Sequence, residues 1–140
     1  MFKDANLMHD MITGRSASGI IHFINQTPIE WFSKCQATVE TATYGSEFVA
    51  ARVTTEQIHG LRITLHSLGV RLDGPSWMFG DNKSVVTSGT IPHSMLSKRH
   101  NALAYHHVRE ACAAHVINFV HISIKQNISD ALKKFLPYPV

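Results

Sequence analysis

The sequence predicts an α/β domain that opens with three strands. Short segments rich in β-branched and aromatic residues come first, and a long segment with helical periodicity follows them. Two later apolar runs then alternate with further helical segments. The 140 residues are enough for one hydrophobic core, so we expect residues 1–140 to form a single domain.

The three opening strands are short. Residues 2–5 predict a first strand that starts almost at Met1, and we expect it to be truncated. Residues 18–25 are rich in β-forming residues and predict the second strand. Residues 29–34 are expected to pair with it as a hairpin, because the polar segment Gln26-Thr27-Pro28 between them is typical of a turn.

Residues 41–68 predict the first long helix. Mostly apolar side chains recur there at steps of three or four residues and define one buried face. They are Tyr44, Phe48, Ala51, Thr55, Ile58, Leu61, Leu65 and Leu68. Gly69 is a plausible end for the helix, because glycine accepts the left-handed conformation that follows many helices.

A buried strand is predicted at residues 77–80, and Asp81 follows it directly. Asn82 and Ser84 can cap a short helix that runs through Val86, since their oxygens accept hydrogen bonds from free N–H groups of a first turn. In open α/β sheets, ligands bind at the carboxyl ends of strands. Asp81 therefore stands where a functional carboxylate is expected.

The last part of the chain predicts a helix, a strand and a terminal helix. The helix covers residues 97–114, with Ser97 as its N-cap and Leu103, His106 or His107, and Ala111 or Ala114 facing inward. Residues 116–122 form the last strand. Asn127 or Ser129 is expected to open a helix that continues to Leu136.

Composition excludes several classes of protein. No apolar run approaches the ~18 residues of a membrane span, and the N-terminus lacks the pattern of a signal peptide. We therefore expect an intracellular protein without a membrane partner. Two cysteines, Cys35 and Cys112, are too few for a disulfide framework, and a net charge of +3 permits a polyanionic partner without requiring one.

Four carboxylates occupy comparable places in this outline: Asp4, Glu47, Asp81 and Asp130. If they converge, they repel one another unless a cation is present. Mg²⁺ or Mn²⁺ is the usual partner, and two such ions about 3.5–4 Å apart would support phosphodiester hydrolysis. The alternative is four unrelated surface acids.

The ten histidines raise a second possibility, a zinc site. His100, His106, His107 and His115 lie in one helical segment. Neighbouring residues of a helix point about 100° apart, so His106 and His107 do not readily face one ion, and no cysteine pair accompanies them. A Cys–His nucleophilic site has no motif to support it either.

Several segments resemble one known family. They are Thr43-Tyr44-Gly45-Ser46-Glu47-Phe48, Gly80-Asp81-Asn82-Lys83-Ser84, Lys98-Arg99-His100, Tyr105-His106-His107-Val108-Arg109-Glu110, and Ser129-Asp130 with Lys133. In this order they resemble the ribonuclease H domain of Ty1/copia-type retrotransposon polyproteins. The resemblance implies a ribonuclease H-like fold, with a mixed five-stranded sheet flanked by helices, and a chain that is a C-terminal fragment of the polyprotein.

The resemblance also implies roles for single residues. Asp4, Glu47, Asp81 and Asp130 match the family's catalytic and metal-binding acids, and His121 lies near the position of an auxiliary histidine. The implied enzyme cuts the RNA strand of an RNA–DNA hybrid with two Mg²⁺ or Mn²⁺ ions, beside a reverse transcriptase domain. Candidate contacts to the nucleic acid are Asn82, Lys83, Lys98, Arg99 and His100.

A rival interpretation keeps the fold and loses the activity. Basic residues could bind phosphate groups without sequence preference, and such binding weakens with salt. The chain would then be an inactive retrotransposon-derived fragment that at most binds nucleic acid.

Overall fold

The computed structural model describes residues 1–6, 12–96 and 99–132. Five strands form one mixed sheet: β1 (Phe2–Asn6), β2 (Ala17–Ile24), β3 (Thr27–Cys35), β4 (Ser76–Gly80) and β5 (Ile117–His121). Their spatial order is β3-β2-β1-β4-β5, so the first strand of the chain is the central one. Each strand lies within two residues of its predicted position.

Strand β1 is hydrogen-bonded on both sides. It runs antiparallel to β2 over its whole length, with Asp4 opposite Gly19, and it runs parallel to β4, with Phe2 opposite Phe79. The N–H of Phe79 donates to the carbonyl of Met1 at 2.8 Å. Residues from both halves of the chain therefore flank β1.

Among the described residues, three α-helices lie between the strands: α1 (Thr43–Ser67), α2 (Lys83–Thr90) and α3 (Ala102–Ala113). The predicted buried face of α1 is correct for its first half, where Phe48, Ala51, Thr55 and Ile58 are buried. Leu68, which ends the predicted face, is 73% exposed. It follows the last helical residue, and no residue of α1 beyond Ile58 is buried.

Helix α3 begins later than predicted. A 3₁₀ turn occupies Arg99–Asn101, and the predicted cap, Ser97, lies outside the described residues. The predicted inward face is correct at Ala111, which is buried, and wrong at Leu103, which is 84% exposed. Tyr105 and Val108 are buried instead. Tyr105 takes the inner position because its ring packs against Phe48 of α1, with centroids 5.8 Å apart.

The predicted terminal helix is wrong over its described part. Residues Ile128–Leu132 form a 3₁₀ helix, and residues 133–140 lie outside the described residues. The segment is tied to the sheet before an α-helix can start, because Nδ2 of Asn127 donates to the carbonyl of Lys3 at 3.0 Å. Ser129 also donates to the side chain of Asn127.

The main core lies between the sheet and the three helices. It is built from apolar residues of α1, β4, α2, α3 and β5, among them Phe48, Met78, Val85, Val108 and Phe119. In the described parts of the chain, no helix is both long and apolar enough to cross a membrane.

Candidate metal centre

The central strand delivers the first acid. Asp4 is 1% exposed, in the middle of β1. Its Oδ1 atom accepts a hydrogen bond from the N–H of Ala5 at 2.8 Å. A carboxylate that is buried in the central strand requires compensation for the water that it has lost.

The junction of β4 and α2 delivers the second acid. Asp81 directly follows β4 and is partly exposed. Asn82 is the N-cap of α2, as predicted: its Oδ1 accepts hydrogen bonds from the N–H groups of Ser84 at 3.1 Å and Val85 at 3.3 Å. The cap fixes the backbone beside Asp81, and so positions the carboxylate.

Helix α1 delivers the third acid. Glu47 lies in its second turn and is 2% exposed. Its Oε1 accepts a hydrogen bond from the N–H of Ala5 at 2.9 Å. This bond joins the helix to the central strand next to Asp4.

These three side chains meet. Carboxylate oxygens of Asp4, Glu47 and Asp81 all lie within 4.8 Å of one another, and we call this group the acidic centre. Asp130, the fourth predicted acid, is not a member of it. Asp130 lies in the 3₁₀ helix Ile128–Leu132, and its assignment as a metal ligand stays a prediction.

The sequence interpretation missed Lys3. Its ammonium group forms an ion pair with Oε2 of Glu47, and the two side chains are 0% and 2% exposed. Burial by itself would raise the pKa of Glu47, but the charge of Lys3, hydrogen bonds with Lys3 and Asp4, and the N–H of Ala5 together hold that pKa below its ordinary value. A lysine in the central strand could have been the signal, since a buried lysine needs a counterion.

His121 lies beside the acidic centre. It is the last residue of β5 and is exposed, and its Nε2 donates to the carbonyl oxygen of Asp81 at 3.0 Å. Parallel pairing of β4 with β5 places it opposite Gly80, one residue before Asp81. Its auxiliary role stays a prediction.

The candidate nucleic-acid contacts lie on two segments. Lys83 is exposed at the start of α2, beside Asn82. Arg99 and His100 are exposed in the 3₁₀ turn before α3, and Lys98 lies outside the described residues. His100 already has a partner within the protein, because its Nε2 lies 3.2 Å from Oε2 of the buried Glu40.

The donor set of the acidic centre suits a hard divalent ion, since Mg²⁺ and Mn²⁺ prefer carboxylate oxygens. At Glu47, however, the ammonium group of Lys3 already contacts one carboxylate oxygen.

Solved structures define the class of fold. The chain is similar to a ribonuclease H1 isolated from compost, with a TM-score of 0.68, 15% identity and coverage of 93% of this chain and 88% of that one. The same enzyme in complex with an RNA/DNA hybrid gives a TM-score of 0.60, with 15% identity and 93% and 89% coverage. The protease–reverse transcriptase of prototype foamy virus gives 0.56, at 13% identity, over 94% of this chain and 18% of that one. The predicted ribonuclease H-like fold is confirmed.

Sequence relatives are transposon polyproteins, which confirms the predicted resemblance. The chain is 27% identical over 135 residues to the retrovirus-related Pol polyprotein of transposon RE2 from Arabidopsis thaliana, over 95% of this chain. It is 25% identical over 136 residues to that of transposon TNT 1-94 from Nicotiana tabacum, over 97% of this chain. The chain spans 9% and 10% of the lengths of these polyproteins. No protein-family model matches it.

Proposed function

We propose that this chain is a ribonuclease H that hydrolyses the RNA strand of an RNA–DNA hybrid with Mg²⁺ or Mn²⁺. The observation that carries the proposal is the acidic centre, in which Asp4, Glu47 and Asp81 lie within 4.8 Å of one another at the middle of a ribonuclease H-like sheet. The similarity to Pol polyproteins supports a role in reverse transcription, beside a reverse transcriptase domain.

The residues of the centre have separate tasks in this proposal. Asp4 and Asp81 offer carboxylate oxygens to a divalent ion, and Asp130 is the proposed fourth acid. The ion supplies Lewis acidity, which stabilises the charge that develops on the phosphoryl oxygens. Lys3 and the N–H of Ala5 hold Glu47 in place, and the cap by Asn82 orients the backbone of Asp81.

The exposed basic residues would hold the nucleic acid. Lys83 follows Asp81 by two residues. Arg99 and His100, exposed before α3, are a second group of proposed contacts. Lys98 precedes them in the sequence and lies outside the described residues. Such residues bind phosphate groups, and the affinity therefore falls with salt concentration. One structural neighbour is a ribonuclease H1 solved with an RNA/DNA hybrid, which supports a hybrid as the substrate.

A second candidate function is a fold that binds hybrids without cutting them. The observation in its favour is that both carboxylate oxygens of Glu47 are engaged, one by Lys3 and the other by Ala5. If both oxygens of Glu47 are already bound within the protein, the acidic centre would bind a metal ion less tightly.

A cleavage assay on a labelled RNA–DNA hybrid separates the two functions. With Mg²⁺ or Mn²⁺ we expect the wild type to cut the RNA strand, and the Asp81→Asn variant to lose the activity. Asp73→Asn is the matched control, because it removes the same charge from an exposed loop residue. If the folded wild type binds the hybrid and cuts neither strand, the non-cutting function is correct.

A further inference from the structure

Lys3 places a positive charge inside the acidic centre. Its Nζ contacts Oε2 of Glu47, and it also lies 3.4 Å from the carbonyl oxygen of the same residue. The lysine side chain is fully buried, so its charge has no water to solvate it. Glu47 is therefore the counterion of this lysine.

The surroundings of Lys3 are shaped to hold it. A Cβ atom on Gly80, in the neighbouring strand β4, would lie 2.8 Å from Cε of Lys3, so the absence of a side chain at Gly80 gives the lysine stem room. The ammonium group also lies 5.5 Å from the centre of the Phe119 ring, at the distance of a cation–π contact. The position of the ammonium group is thus fixed by three elements of the fold.

Charge balance decides how many ions the centre can take. When ionised, the three carboxylates carry three negative charges, and Lys3 reduces this total to two. One divalent ion neutralises the remainder. Two divalent ions would leave two uncompensated positive charges, or one if Asp130 also contributes its charge. Such an excess is unfavourable beside side chains as buried as those of Asp4 and Glu47.

We propose that Lys3 is a built-in cation that takes the place of one divalent ion, so that the acidic centre binds a single Mg²⁺ or Mn²⁺ through Asp4 and Asp81. This inference rests on the proposed function, because it concerns the metal of the same site. It departs from the two ions that the family resemblance implies. Lys3 is a specificity-determining residue here, since it sets the number of metal ions.

The test counts bound Mn²⁺ and does not depend on activity. Paramagnetic resonance of free Mn²⁺ gives the stoichiometry and affinity for the wild type and for Lys3→Met, which keeps the apolar stem and removes the charge. We expect one ion for the wild type. For Lys3→Met we expect a second ion, or at least about tenfold tighter binding of the first, because a nearby positive charge has been removed.

Lys34→Met is the matched control. Lys34 is exposed on β3, so this variant loses the same charge without losing a buried ion pair, and we expect one ion with unchanged affinity. Thermal unfolding adds a second readout. With chelator present, Lys3→Met should unfold at a lower temperature than the wild type, and Mn²⁺ should restore most of the loss by compensating Glu47.

Two ions per wild-type chain would overturn the inference, and so would an unchanged stoichiometry and affinity in folded Lys3→Met. If Lys3→Met does not fold, the wild-type count alone decides. If the wild type binds two ions and cuts the hybrid, this inference is overturned and the proposed function is supported. A wild type that binds one ion without cutting the hybrid would support this inference and contradict the proposed function. A wild type that binds no Mn²⁺ would overturn the inference.

Discussion

The imidazole of His22 and the side-chain amide of Gln57 are joined by a hydrogen bond of 2.7 Å between β2 and α1. His22 is 1% exposed, and in the described part of the chain its other ring nitrogen, Nδ1, has no hydrogen-bond partner. With the oxygen of Gln57 as acceptor, Nε2 carries the proton of the neutral ring. A second proton on Nδ1 would then be a buried, unpaired donor, which is costly.

Stability should therefore fall in mild acid. Burial lowers the pKa of His22, and the hydrogen bond with Gln57 and the charge of Glu30 only partly oppose it. The unfolded chain binds a proton near pH 6.5, whereas the folded chain resists it, so the free energy of unfolding should be highest above pH 6.5 and decline as the pH falls below it.

Urea unfolding between pH 5 and pH 8 checks this expectation. His22→Gln should flatten the decline, and His66→Gln should not, because His66 is exposed in the last turn of α1. Equal slopes in the wild type and in His22→Gln would contradict the assignment.

Two glycines of α1 should respond to alanine in opposite ways. A Cβ on Gly45 would meet the carboxylate of Glu40 and lie 3.0 Å from Nδ2 of Asn101, whereas a Cβ on Gly60 would meet nothing within 4 Å. We expect Gly45→Ala to lower the free energy of unfolding by about 1–3 kcal/mol through overpacking. Gly60→Ala should raise it by about 0.5–1 kcal/mol through its higher helix propensity. Chemical denaturation measures both, and a gain in both variants would show that Glu40 moves aside freely.

Asn82 caps α2 and is also a proposed contact to nucleic acid, and the two roles can be tested separately. Asn82→Ala removes the acceptor for Ser84 and Val85 and should cost about 1 kcal/mol, whereas Asn82→Ser should retain most of the stability. Hybrid affinity measured on both folded variants tests the other role. If Asn82→Ser is stable and binds the hybrid as tightly as the wild type, then Asn82 is only a cap.

The two cysteines should differ in reactivity. Burial raises the pKa of Cys112 to about 11, so at neutral pH very little of it is thiolate, and Cys35 is exposed. We expect a thiol reagent to label one cysteine rapidly in the folded protein and both in denaturant. Cys35→Ser should abolish the rapid phase, and a rapid phase that survives in this variant would place the reactive thiol at Cys112.

The sequence predicted most of the elements because local patterns determine them. β-forming residues marked the strands, a three-to-four residue period marked α1, and Asn82 marked the start of α2. The acidic centre was anticipated to the extent that Asp4, Glu47 and Asp81 each stand at a strand or helix position near the sheet centre. Their approach to within 4.8 Å is a tertiary fact, because β1, α1 and β4 must first be packed together.

The errors have tertiary causes as well. Leu103 was expected on the inner face of α3. Tyr105 packs against Phe48 on that face instead, and Leu103 is exposed. The terminal segment was expected to be α-helical, but Asn127 ties it to the backbone of Lys3. A lysine in the central strand could indicate that a counterion is needed, but its partner lies 44 residues away in the sequence, so no local pattern identifies Glu47 as that counterion.

The central position of β1 has a consequence for the order of folding. The hairpin of β2 and β3 is local and can form within about 1–10 μs, but the pairing of Phe2 with Phe79 must close a long loop, and such non-local contacts form slowly. Asp4, Glu47 and Asp81 come from three separate elements, so the acidic centre exists only after β1 has been inserted. Ion binding would then follow the slowest folding step, and the appearance of a metal site during refolding would mark the completion of the sheet.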